Sequence, residues 1–183
     1  MKLVKTSILG VWVLESKAFE DNRGAFSRLF CVSELEEVIA ARKIVQINRS
    51  MTCNVGAVRG LHYQNPPNAE MKIVRCINGR VFDVVVDLRK DSPTFLQWHG
   101  VELAPENRLA LVIPEGCAHG FQVLEADSEL LYLHTAFYMP EAEGALRYDE
   151  PRVGVKWPLI PTDLSARDLS HPYLNKDFKG IVL

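Results

Sequence analysis

Apolar residues fall in short runs broken by turn residues over most of the chain, and from Ile44 onward those runs have the β-rich character of strands. Ile8-Leu9-Gly10-Val11-Trp12-Val13-Leu14 predicts the first strand, and Val45 to Asn48 predicts another. Met71–Ile77 and Arg80–Leu88 are nearly continuous apolar runs on either side of Asn78-Gly79. That dipeptide favours a tight turn with positive φ at both central positions, so the two runs are expected to pair as an antiparallel hairpin. Leu96–Leu103, Arg108–Ile113, Gly120–Glu125 and Leu130–Tyr138 predict further strands, punctuated by Pro93, Pro105, Pro114 and Pro140. One helical pattern stands out: Ser33 and Glu36 form a capping box ahead of Leu35, Val38 and Ile39, which predicts a helix to about Arg42. From Trp157 onward, Pro158, Pro161 and Pro172 predict an irregular tail that wraps over the sheets. No repeat or linker interrupts the pattern, so residues 1–183 are expected to form one all-β domain, a sandwich or barrel with one or two short helices.

With 183 residues the chain can bury a core without staples. Its formal net charge of −2 argues against nucleic acid as the main partner, and any anion it binds should be small. No window approaches the roughly 20 apolar residues that span a bilayer, so no membrane partner is expected. Ile8–Leu14 is too short for a signal peptide and runs into Glu15-Ser16-Lys17 instead of a cleavage site. Cys31, Cys53, Cys76 and Cys117 lack CxxC spacing and read as reduced thiols of a cytoplasmic protein.

Candidate chemistry centres on Gly56-Ala57-Val58-Arg59-Gly60-Leu61-His62-Tyr63-Gln64. It sets a permanent cation and an imidazole three residues apart on what reads as a strand edge, with glycines that permit close backbone approach. Arg23 and Phe26 flank the turn at Asp21-Asn22-Arg23-Gly24, a cation and a ring suited to a phosphate and a base. Lys72 alternates with Val74 and Cys76 and therefore points inward, where an ammonium needs a reason to be. Ile113-Pro114-Glu115-Gly116-Cys117-Ala118-His119 is a tight turn that returns a second histidine into a strand.

The two histidine-bearing segments resemble the paired motifs of the cupin superfamily, whose fold is a double-stranded β-helix or jelly roll. Metal-binding cupins carry H-x-H in the first motif. Here Gln64 replaces the second histidine while Glu70 remains, so no metal is expected, and a metal-dependent isomerase or dioxygenase is the lesser alternative. Asp21-Asn22-Arg23-Gly24, Gln46-Ile47-Asn48, Arg59 to Gln64, Lys72 to Cys76, Val85 to Arg89, Ser92 to Phe95, Ile113 to Phe121 and Leu164 to Asp168 together resemble the dTDP-4-dehydrorhamnose 3,5-epimerase family almost end to end. The resemblance implies an epimerase that inverts C3, C5 or both in a nucleoside-diphosphate 4-keto-6-deoxyhexose, with no cofactor. It implies His62 as base, Asp168 as its partner, Tyr132 as acid and Lys72 as the cation beside the C4 oxygen. Arg23, Arg59, Gln46, Asn48, His119, Glu143 and Arg167 would contact the sugar or diphosphate, and Phe26 and Tyr138 would sandwich the base. A homodimer is implied, with the N-terminal strand joining the partner's sheet. Two positions depart from the family's usual residues: Arg28 stands where a glutamate is common, and Arg167 replaces lysine.

Overall fold

The computed structural model describes Met1–Leu183. Its strands are β1 (Lys2–Lys5), β2 (Trp12–Glu15), β3 (Ala18–Asp21), β4 (Gly24–Ser27), β5 (Gln46–Thr52), β6 (Val58–Gln64), β7 (Lys72–Asn78), β8 (Val81–Asp87), β9 (Trp98–Leu103), β10 (Leu109–Ile113), β11 (Cys117–Val123), β12 (Ser128–His134) and β13 (Glu143–Ala145). Two short α-helices, α1 (Glu36–Ile39) and α2 (Ala166–Ser170), complete the regular elements with two 3₁₀ turns. None of these helices is long and apolar enough to cross a membrane.

The strands form two antiparallel sheets, ordered β1-β2-β10-β7-β12-β5 and β13-β6-β11-β8-β9, with β3–β4 as a separate hairpin. This is the jelly-roll sandwich. Val74, Cys76, Leu111, Ile113 and Leu130 of the first sheet meet Val81, Val85, Leu103, Phe121 and Val123 of the second in the central core. The outer faces are covered as well. Leu35, Val38 and Ile39 pack on Ile73, Val112 and Leu133 of the first sheet, while Leu146, Ile181 and the partly buried Trp157, Leu174 and Phe178 cover Val84 and Val86 of the second.

Double coverage explains why β7 and β8 read as continuous apolar runs, and it overturns the expected hairpin. β7 lies between β10 and β12, and β8 lies between β11 and β9, so the two strands belong to different sheets. Gly79 has the positive φ that the dipeptide promised, at 73°. The turn, however, is a corner tied to the 124–128 region: Arg80 N–H donates to Ser128 Oγ at 3.0 Å, and the Asn78 amide donates to the Asp127 carbonyl at 2.8 Å.

Three other expectations are corrected. Ile8–Leu14 is not one strand. Thr6 Oγ1 accepts the Ile8 N–H and donates to the Val11 carbonyl, and Gly10 takes φ 77°, so the chain folds back into a β1–β2 hairpin. The helix is a single turn after a 3₁₀ start, because Ser33 makes no capping bond and Ala40 ends it at φ 51°. β6 is not an edge strand, since β13 pairs with it on one side and β11 on the other. β5 extends to Thr52, β11 begins at Cys117, and β12 ends at His134, leaving Tyr138 on the following loop.

Candidate active site

A cavity of about 570 Å³ opens between the two sheets. Asn48, Ser50, Lys72, Tyr132 and His134 line it from β5, β7 and β12, and Arg59, His62, His119 and Phe121 line it from β6 and β11. Glu70, Tyr138 and Glu143 also line it, Glu70 as a largely buried side chain.

His62 faces His119 across the β6–β11 ladder. Its Nε2 is 2.7 Å from Asp168 Oδ1, although the two residues are 106 apart in sequence. The tail makes this contact possible. Val58 N–H donates to the Thr162 carbonyl and Thr162 N–H donates to the Gly56 carbonyl, pinning the tail to the start of β6. Three residues after Thr162, Ser165 caps α2, its Oγ accepting the Asp168 N–H at 3.0 Å. Burial would raise the Asp168 pKa, but the bond and charge of His62, the Ser165 hydroxyl and the Gly60 N–H outweigh it and hold the carboxyl below its usual range. An ionised Asp168 accepts the Nε2 proton and leaves Nδ1 as the nitrogen free to take one.

The opposite wall is built around Tyr132. Its hydroxyl lies 3.1 Å from Ser50 Oγ, and its ring meets His119 edge-on. Burial pushes the phenol well above its ordinary value, so it stays protonated at neutral pH and is a donor, not a base. Lys72 Nζ is 2.9 Å from Glu70 Oε1, with both side chains almost fully buried. His119 Nε2 is 2.8 Å from the fully buried Asp83, whose pKa burial raises against the opposing pull of His119.

At the rim, Tyr138 Oη donates to Glu143 Oε2 at 2.7 Å, and Arg167 pairs with the same carboxylate. Gln46 ties down the Tyr138 backbone, its Oε1 accepting the Tyr138 N–H at 3.2 Å. Arg59 is exposed and borders both this cavity and a second groove with Ser165, Arg167 and Asp168.

Two expected site residues are not brought here. Arg23 and Phe26 sit on the exposed β3–β4 hairpin and line a separate shallow depression, Phe26 being 72% exposed. Arg28, the departure at the end of that hairpin, pairs with Glu34. The sequence reading also misses Asp83, Ser50 and His134. Period-two spacing from Tyr132 signals His134, and a lone acid inside the apolar run Val81–Val86 signals Asp83. Glu70 binds Lys72 and His134, and it joins neither His62 nor His119. No three His, Cys, Asp or Glu side chains converge to hold a metal ion.

Glycine sets the close approach of the two histidine strands. A Cβ on Gly60, at φ 117°, would lie 2.6 Å from Gly120 Cα and 2.7 Å from the His119 carbonyl oxygen. Gly60→Ala is therefore expected to destabilise the fold by about 2–4 kcal/mol, read as a lowered urea midpoint.

A carboxylate-held imidazole on one wall, faced by a protonated phenol and a buried ammonium on the other, is equipped to take a proton from carbon and return one from the far side. The chain is an isomerase of the epimerase type, built on a cupin jelly roll. The family model for dTDP-4-dehydrorhamnose 3,5-epimerase matches residues 5–176, and the chain belongs to that family. The Salmonella typhimurium dTDP-4-dehydrorhamnose 3,5-epimerase is 45% identical over 180 residues, covering 96% of this chain and 97% of that protein. The Legionella pneumophila dTDP-6-deoxy-D-glucose-3,5-epimerase, solved in complex with dTDP-4-keto-L-rhamnose, superposes with a TM-score of 0.90 at 39% identity, covering 96% of this chain and 94% of the other. NovW of Streptomyces spheroides, a 4-keto-6-deoxy sugar epimerase, gives a TM-score of 0.90 at 34% identity, covering 94% and 87%.

Proposed function

We propose that the chain inverts C3 and C5 of a dTDP-linked 4-keto-6-deoxyhexose, with His62 removing each proton and Tyr132 returning one to the opposite face. C3 and C5 both flank the C4 carbonyl, so one oxyanion site serves both inversions. Lys72 takes that site and stabilises the enolate oxygen. The substrate arrives oxidised at C4, and the reaction calls for no redox carrier. Arg59 and Arg167 hold the diphosphate, where the guanidinium fork gives paired bonds and a permanent charge. Asn48, His119 and Glu143 contact the sugar and nucleotide, and Tyr138, seated by Gln46, stacks on the base.

The observation that carries this reading is the 2.7 Å contact between His62 and Asp168 on the wall facing Tyr132. Proton NMR in deuterated water with dTDP-4-keto-6-deoxyglucose tests it: deuterium should enter at C3 and C5. Deuterium at one carbon alone would make the chain a mono-epimerase, and deuterium at neither would overturn the reading. Tyr132→Phe should still lose substrate hydrogen to solvent while product formation falls by about 10²-fold, because only the returning proton is withdrawn.

The working form in this reading is a cytoplasmic homodimer of single-domain chains. Four free cysteines fit a reducing compartment. Strand β1 has an unpaired edge, and the exposed β3–β4 hairpin carries Arg23 and Phe26 outward, to complete the diphosphate and base sites of a second copy.

A further inference from the structure

Proton removal and return leave Glu70 and His134 without a task, yet both side chains are largely enclosed at the cavity. Lys72 and His134 are direct partners across β7 and β12, so their side chains lie together on the cavity face. Glu70 sits between them, with Oε1 2.9 Å from Lys72 Nζ and Oε2 2.7 Å from His134 Nδ1. The other nitrogen of His134 is 3.4 Å from Asn48 Nδ2, a group that can only donate, so Nε2 accepts and Nδ1 carries the proton given to Glu70. The His134 ring in turn stacks on Tyr132, 5.9 Å between centroids at 17°.

We propose that Glu70 is a positioning residue for the epimerisation, keeping Lys72 charged and fixed at the enolate oxygen, and that His134 anchors Glu70 and braces the Tyr132 ring. This rests on the reading of Lys72 as the oxyanion partner. An ammonium out of water loses its proton readily unless an anion holds it, and the neutral amine cannot offset a developing negative oxygen. Among the groups around Lys72, Glu143 is taken by Arg167 and Tyr138. Asp83 is engaged by His119 and is itself pushed by burial toward its neutral form. His62, His119, Tyr132, His134 and Arg59 are cations or neutral groups at neutral pH and supply no counter-charge. Glu70 does supply one: burial would raise its pKa, but His134 and Lys72 together hold it below the usual carboxylate range.

The test is the pH dependence of kcat, from about pH 6 to 9.5, for wild type, Glu70→Gln, Glu70→Asp, His134→Phe and Lys72→Met. In Glu70→Gln the loss should be smallest at the acid end and grow with pH, the alkaline limb moving down by about one unit or more, while KM stays within about threefold. Glu70→Asp keeps the charge and should restore the limb even where kcat is lower. His134→Phe keeps a ring against Tyr132 but not the Nδ1–H. It should lower kcat several-fold with the limb in place, and an unchanged kcat would remove His134 from the device. A Glu70→Gln profile parallel to wild type, or a loss uniform across pH, overturns the role of Glu70. Should Glu70→Gln fail to fold, Glu70→Ser carries the same expectation. Lys72→Met separates the two levels: if it keeps wild-type turnover, the reading of Lys72 falls. If it is inactive while Glu70→Gln parallels wild type, that reading stands and this proposal fails.

Discussion

Replacing His62 with alanine is expected to lower kcat by about 10³-fold or more and to abolish deuterium entry at both C3 and C5, while dTDP binds as before. A hydrogen beside a ketone is only weakly acidic, so removing it needs both a base in contact and a cation that lowers the energy of the enolate. Taking away the base leaves Lys72 with no anion to stabilise. In the proposed function the nucleotide is held by Arg59, Tyr138, Glu143 and Arg167, which are separate side chains, so affinity should survive. Asp168→Asn provides the sharper version. The asparagine amide can donate to Nε2, which moves the imidazole proton to Nδ1 and blocks the nitrogen facing the substrate, a change worth about 10²–10⁴-fold. Because Asp168 is held below the usual carboxylate range, it stays ionised through neutral pH and this partnership does not lapse there. Isothermal titration with dTDP, run beside NMR exchange rates, separates binding from chemistry. Wild-type turnover in His62→Ala would assign proton removal to another group.

What the sequence discloses here follows from what chemistry and burial each demand. Lys72 is legible because period-two alternation turns a charge toward the core, and the structure does bury it beside the cavity. The strands are legible in number more than in partnership. β7 and β8 are each covered on both faces, and a run that is apolar throughout does not state which sheet it joins, so Asn78-Gly79 looks like a hairpin and acts as a corner. The bond from His62 to Asp168 depends on backbone bonds between Thr162 and the start of β6, and no local pattern announces them. The Lys72–Glu70–His134 bridge is hidden for a related reason: the inward Lys72 shows in the alternation but its partner does not, and only the β7–β12 register brings the two basic side chains onto one carboxylate. Arg28 and its pairing with Glu34 explain where that side chain goes, but nothing in the structure ties the change to a preference for one base or sugar.

Mixing two inactive variants should restore activity. Arg23 and Phe26 are implied in the substrate site, yet the hairpin that carries them lies outside the cavity of its own chain. In a two-fold dimer each cavity would take His62 from one copy and Arg23 from the other. Arg23→Ala and His62→Ala, each alone, should then have little activity. In a mixed dimer one cavity receives both defects, and the other combines an intact His62 with an intact Arg23. Each mixed dimer then has one intact cavity of two, so the purified mixed dimer should recover about half of wild-type activity. The assay is co-refolding or co-expression of differently tagged variants, followed by tandem purification and turnover. If Arg23 served its own chain's cavity, each site in the mixed dimer would carry one defect and no activity would return. Recovery at about half of wild type would assign the hairpin to the partner's cavity and make the dimer a condition of catalysis. Its absence in a verified mixed dimer would place Arg23 outside the partner's site.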